Sequence, residues 1–235
     1  MSSKGSLAAI ERRVVACTRC PELRAYCAEI ARVKKREHRE RPYWGRPVPA
    51  FGDPNARLLL VGLAPGAHGS NRTGRPFTGD GSGVWLYRAL YRAGFANQAE
   101  QHDRDDGMVL RDTLISAALH CAPPGNRPTP GQLLRCEPHL DAELAALGGL
   151  RVVLGLGAIG TRAAQAALER AGYTFARRPK FAHGAEAVAL RGSAPDRITL
   201  LASYHPSRQN TNTGVLTEAM FDSAFKRVRE LLELP

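Results

Sequence analysis

The chain has 235 residues, 43% of them hydrophobic, and its 33 lysines and arginines exceed its 22 acidic residues by a formal charge of +11. That length predicts a single domain over residues 1–235 with a substantial core, and no run approaches the roughly 18 apolar residues of a membrane span. The N-terminal MSSKGSLAAIERR lacks the apolar stretch of a secretory signal, so a cytoplasmic protein is expected. The positive excess predicts a polyanionic partner, because a basic surface releases condensed counterions on binding nucleic acid.

In chain order, the first landmark is Cys17-x-x-Cys20. Five cysteines in a reducing compartment argue against a disulfide framework. Cys17 and Cys20 with the distant Cys121 and Cys136 read as one metal site, leaving Cys27 as the odd one. Four thiolates suit either tetrahedral zinc or an iron–sulfur cluster, and spacing alone does not choose. KKREHRE, between Val33 and Arg41, reads as a solvated helix face, with a DNA-facing edge as the alternative.

RLLLVG at 57–62 is a short apolar run ending in glycine, and RVVLGLG at 151–157 repeats the style; TLISAALH at 113–120 and RITLLASYH at 197–205 are two further strand candidates. Helical stretches alternate with them. One begins near Val84, and a capping box at Thr129-Pro130-Gly131-Gln132 opens another, which carries Cys136. AIGTRAAQAALERAG is a third, closing at Gly172, and a last one runs from about Thr217 to Leu232. This alternation predicts an α/β fold, a three-layer α/β/α sandwich around a mainly parallel four-stranded sheet. Its ligand site belongs at the carboxyl ends of the strands, where three polar loops follow: LAPGAHGSNRTGRPFTGDGSG, CAPPGNRPTP and HPSRQNTNTG.

Gly62-Leu63-Ala64-Pro65-Gly66-Ala67-His68-Gly69, Asn71-Arg72-Thr73-Gly74-Arg75-Pro76-Phe77-Thr78-Gly79-Asp80 and His205-Pro206-Ser207 resemble the motifs of the uracil-DNA glycosylase superfamily, in its type-B branch, family 5. The likeness spans nearly the whole chain, with Cys17, Cys20, Cys121 and Cys136 where iron–sulfur members carry their ligands. It therefore implies a [4Fe–4S] cluster in place of zinc, in a structural or DNA-docking role. The implied function is monofunctional excision of uracil, and of other deaminated bases such as hypoxanthine, from double-stranded DNA by a monomer. The alternative is a non-catalytic iron–sulfur or zinc DNA-binding or redox-sensing protein.

Base excision requires a flat wall for the extruded base, donors for the charge on the leaving base, and a group that directs water at the sugar. Phe77, in a polar Gly/Pro loop, supplies the wall, and by resemblance it lies against the flipped base. His205 is the donor, neutral or protonated, and backbone N–H groups from Ala64 through Gly66 and Ala67 to His68 add to it. Other branches place an acidic or amide residue just after the leading glycine of the first motif. Here Leu63 and Ala64 stand there, and Asp80 takes over the water. Asn126 offers a donor and an acceptor to the base or the water. Arg72, Arg75, Ser207, Arg208 and Asn210 are the expected phosphate contacts.

Overall fold

The computed structural model describes residues 6–192 and 196–233. Alternation within the RLLLVG run decides which way each residue faces. In the strand Leu58–Gly62, Leu58 and Leu60 pack on one side with Leu86, Leu90, Phe221 and Phe225, whereas Leu59 and Val61 pack on the other with Leu140, Leu144, Ala164 and Leu168. Burying such a side chain fully contributes roughly 1.5–3 kcal/mol. A strand buried on both faces therefore reads as a continuous apolar run and requires helices above and below it.

The strands are β1 Phe51–Gly52, β2 Leu58–Gly62, β3 Thr113–Ala117, β4 Val152–Leu156, β5 Thr174–Phe175, β6 Glu186–Arg191 and β7 Asp196–Ser203. They form one sheet in the order β1-β3-β2-β4-β7-β6-β5. The central four, β3-β2-β4-β7, are parallel, and they are the four expected strands. Antiparallel strands extend the sheet at both edges. Two of these are only two residues long and β6 is largely exposed, so neither periodicity nor an apolar run marks them.

Helices α4 (Gly81–Arg92) and α8 (Glu218–Glu233) cover one face of the sheet, and α5 (Pro130–Ala146) and α6 (Gly157–Arg170) the other. Ahead of the sheet come α1 (Leu7–Val15), which packs on α5, and α2 (Pro21–Val33); the short α3 (Ser70–Thr73) and α7 (Arg208–Asn212) lie in the loops after β2 and β7. Thr129 and Gln132 form the full reciprocal capping box at the start of α5, with Pro130 at its first position. KKREHRE is not a helix face. Helix α2 stops at Val33, Lys34 adopts a left-handed φ of 56°, and only a single 3-10 turn follows at Arg36–His38. Among the described residues no helix is long and apolar enough to cross a membrane.

Candidate active site

At the carboxyl ends of β2, β3 and β7 lies a cavity of about 320 Å³. Phe77 forms one wall, and its ring is placed by absences elsewhere. A Cβ at Gly62 would stand 2.9 Å from Phe77 Cζ, so only glycine ends β2 here. Phe77 itself has φ 52°, a conformation that costs a non-glycine residue on the order of 1–3 kcal/mol and persists only where the surroundings enforce it. The enforcement is visible: Tyr87 Oη donates to the Pro76 carbonyl at 2.8 Å, and Thr73 Oγ1 donates to the Thr78 carbonyl at 3.1 Å.

Asp80 caps α4, its Oδ1 accepting the Gly83 N–H at 3.0 Å. Its Oδ2 lies against the loop after β2, where a Cβ on Gly69 would come within 2.4 Å of it. The Gly66–Gly69 pair thus makes room for a carboxylate that also lines the cavity. Burial raises the pKa of Asp80, opposed by the Gly83 and Ser82 N–H groups and by Arg208 and Arg72. His205 stacks on Phe77, with ring centroids 5.7 Å apart and planes at 28°. Burial lowers its pKa to about 4, so the imidazole is neutral at pH 7. Its carbonyl accepts from the Ser207 N–H at 2.8 Å and from Asn210 Nδ2 at 2.9 Å, which locks the turn after β7. Asn126 completes the rim, exposed and in the left-handed region (φ 56°) that asparagine tolerates.

A uracil DNA glycosylase superfamily model matches residues 49–229. The type-5 uracil-DNA glycosylase of Mycobacterium leprae is 44% identical over 97% of this chain and 96% of its own. That of Thermus thermophilus is 46% identical over 96% of this chain and 98% of its own. The chain belongs to the uracil-DNA glycosylase superfamily. A type-4 uracil-DNA glycosylase from Archaeoglobus fulgidus is more distant, 27% identical over 78% of this chain and 81% of its own.

Within this superfamily fold, the cavity gathers Asp80, His205, Asn126, Phe77, Ala64, Gly66 and Ser207 from separate loops. Ala67 and His68 do not line it. The Ala67 carbonyl accepts from Asn71 Nδ2, and His68 Nδ1 pairs with Tyr43 Oη at 3.1 Å. Two expected phosphate contacts are corrected outright. Arg75 is 1% exposed and forms a bidentate pair with Asp106 at 2.6 and 2.7 Å, between the rings of Phe51 and Tyr87. Although burial would raise the pKa of Asp106, Arg75 and the His102 and Met108 N–H groups hold it down to about 2. Arg72 is 7% exposed, and its guanidinium donates to the His68 and Gly79 carbonyls. Both arginines shape the Phe77–Asp80 loop from inside. Asn210 is likewise committed to the His205 turn, and Ser207 caps α7, its Oγ accepting the Asn210 N–H. Arg208 is exposed, with its guanidinium over Gly81.

Several lining residues escaped the motif reading: Val48, Pro49, Ser70, Ser82, Ser116 and Ala117. Ser116 sits in an apolar strand run, where it passes for core. Its hydroxyl donates to Glu143 Oε2, and Glu143, 1% exposed, has its pKa pushed up to about 8 by burial. A polar residue in an otherwise apolar strand, near its carboxyl end, was the available signal.

The four motif cysteines converge. Cys17 follows α1, Cys20 caps α2, Cys121 follows β3 and Cys136 lies on α5, yet all line one small cavity of about 20 Å³ with Arg19, Arg24 and Arg135. Arg135 Nε donates to Cys20 Sγ at 3.2 Å and the His120 N–H to Cys136 Sγ at 3.4 Å. Cationic and N–H donors around sulfur are what thiolate ligands require. Among the described residues no three His, Cys, Asp or Glu side chains gather tightly enough for a single ion. Cys27 is buried in the same cluster, its thiol directed at the Ala122 carbonyl at 3.7 Å.

Proposed function

We propose that the protein hydrolyses the N-glycosidic bond of uracil in double-stranded DNA, leaving an abasic site without cutting the strand. One observation carries this reading: Asp80, Phe77, Asn126 and His205, from three separate loops, line a single cavity at the carboxyl edge of the parallel strands. The extruded base lies on Phe77. As the bond breaks, the electron pair leaves with the base, and a neutral His205 donates a hydrogen bond to the base oxygen where charge collects. Such a donor is worth about 10²- to 10³-fold in rate. Asp80 orients water toward the sugar carbon, stabilises the cationic sugar, and takes the proton as the carbon–oxygen bond forms. Asn126 holds the water or the base edge from the rim.

The walls at Leu63, Ala64 and Ala117 offer few polar contacts that would reject a different base, which supports acceptance of hypoxanthine as well. Cys17, Cys20, Cys121 and Cys136 hold a [4Fe–4S] cluster in this reading. When bound, the cluster supplies a cross-link between the α1–α2 junction, the loop after β3 and α5. The site of action is cytoplasmic, and the protein acts as a single-domain monomer.

The deciding measurement is release of free uracil from a uracil-containing duplex. Wild type releases it and Asp80→Asn is slower by about 10²- to 10⁴-fold, while asparagine preserves the helix cap. No release by wild type, or equal release by the variant, would overturn this assignment.

A further inference from the structure

Among the described residues ten of the 28 arginines pair with a carboxylate. Arg57 pairs with Asp112, Arg92 with Asp222, Arg135 with Glu22, Arg170 with Asp141 and Arg227 with Glu186. The loop at 34–46 concentrates unpaired ones within a few residues. It carries six basic residues against Glu37 and Glu40, and Glu37 is already engaged by Lys35 and His38. Among the described residues Arg36, Arg39 and Arg41 form no ion pair, nor does Arg208, and all four are exposed.

Irregular as it is, the loop is tightly held, and held to the active-site motif. The Trp44 N–H donates to the Arg72 carbonyl at 2.8 Å and the Gly45 N–H to the Asn71 carbonyl at 3.0 Å. Tyr43 Oη accepts the Lys35 N–H at 3.3 Å and pairs with His68 Nδ1, 3.1 Å away. That link explains why His68 turns from the cavity. The charges of the loop reach the same place: after burial, Arg41 is the main influence lowering Arg72, and Lys35 the main influence lowering His68. Glu37 in turn feels Arg208. Like charges gathered on a braced backbone, with too few carboxylates to neutralise them, are an unfinished set of contacts whose missing member is anionic.

We infer that the 34–46 loop, through Arg36, Arg39 and Arg41, is a second grip on the DNA backbone, acting with Arg208 across the mouth of the base pocket. It takes phosphates flanking the extruded nucleotide, and it replaces the contacts that the buried Arg72 and Arg75 do not make. The inference rests on the glycosylase reading for its ligand, a DNA duplex.

The test compares Arg36→Gln/Arg39→Gln/Arg41→Gln with a control, Arg162→Gln/Arg177→Gln/Arg178→Gln, which removes the same three charges from exposed positions on other elements. Fluorescence anisotropy on a labelled undamaged duplex gives the dependence of affinity on salt, and single-turnover uracil release at saturating enzyme gives the chemistry. The loop variant loses about 2 to 3 from the slope of log K against log salt, at about 0.9 per phosphate contact. It binds at least ~10-fold more weakly at moderate salt and keeps the saturated release rate. The control keeps both. Arg41→Gln alone, beside Arg72, gives about one third of the loss and needs only a single surface change. An unchanged slope in the loop variant, or equal loss in the two triples, overturns the loop's role while uracil release stands. Absence of release by wild type sinks the pocket's assignment instead.

Discussion

Arg75 and Arg208 lie against the same segment after β2, at Thr78 and Gly81, and have opposite fates. Arg75, inside the motif after β2, is sealed between two aromatic rings and pairs with Asp106; Arg208, at the start of α7, is exposed above Gly81. The motif loop uses its cations internally, to hold a left-handed Phe77 and a buried Asp80 in place. The 34–46 loop and α7 are tied down largely by backbone and neutral side-chain bonds, which leaves Arg36, Arg39, Arg41 and Arg208 to solvent. Membership of a motif therefore says little about whether a charge touches the ligand, and burial says much.

The largest effect that would sharpen this contrast is on stability. Arg75→Ala leaves Asp106 buried without its partner, and removal of one member of such a pair costs about 3–5 kcal/mol; denaturant unfolding should show it, with DNA affinity of the remaining folded fraction unchanged. If Arg75→Ala instead weakened DNA binding at full stability, the division between internal and external cations would be broken.

A pH series separates the two catalytic candidates. The raised pKa of Asp80 places the acid limb of the release rate above the ordinary carboxylate range, with activity falling as the pH drops through it. His205, down at about 4, should leave no inflection near 6.5 in that profile. In stability the sign is fixed as well. Between about 6.5 and 4 the unfolded chain binds a proton at this histidine and the folded protein does not, so the contribution of neutral His205 is present above 6.5 and is lost as the pH falls. His205→Gln should flatten that part of the stability curve, and an unaltered curve would show that the imidazole is already charged in the fold.

Smaller effects follow at the surface. Thr129→Ala removes the capping box of the helix that carries Cys136 and should cost about 1 kcal/mol, read by thermal unfolding. Arg208→Gln should change stability by no more than about 0.5 kcal/mol while lowering the salt dependence of DNA affinity. A larger loss would mean that Arg208, like Arg75, is part of the scaffold.

The central fold was legible because each parallel strand is buried on both faces and so announces itself as an apolar run. Leu58 to Gly62 and Val152 to Leu156 are examples. The short edge strands were not legible, since two residues carry no period. At the pocket, Phe77, Asp80 and His205 stood out as chemistry-bearing residues in polar loops, but Ser116 on β3 did not, because its partner Glu143 lies on α5 and only folding brings the two together.

Residue type and order by themselves determined the layered α/β architecture, the loops that reach its active edge and the four cysteines available as ligands. Those features depend on local periodicity, capping and spacing along the chain. Which arginines face the solvent, which way His68 turns, and that Cys17 and Cys20 meet Cys121 and Cys136 around one cavity were decided only in three dimensions. Each depends on a partner far away in sequence, and on whether the fold leaves that partner buried or free.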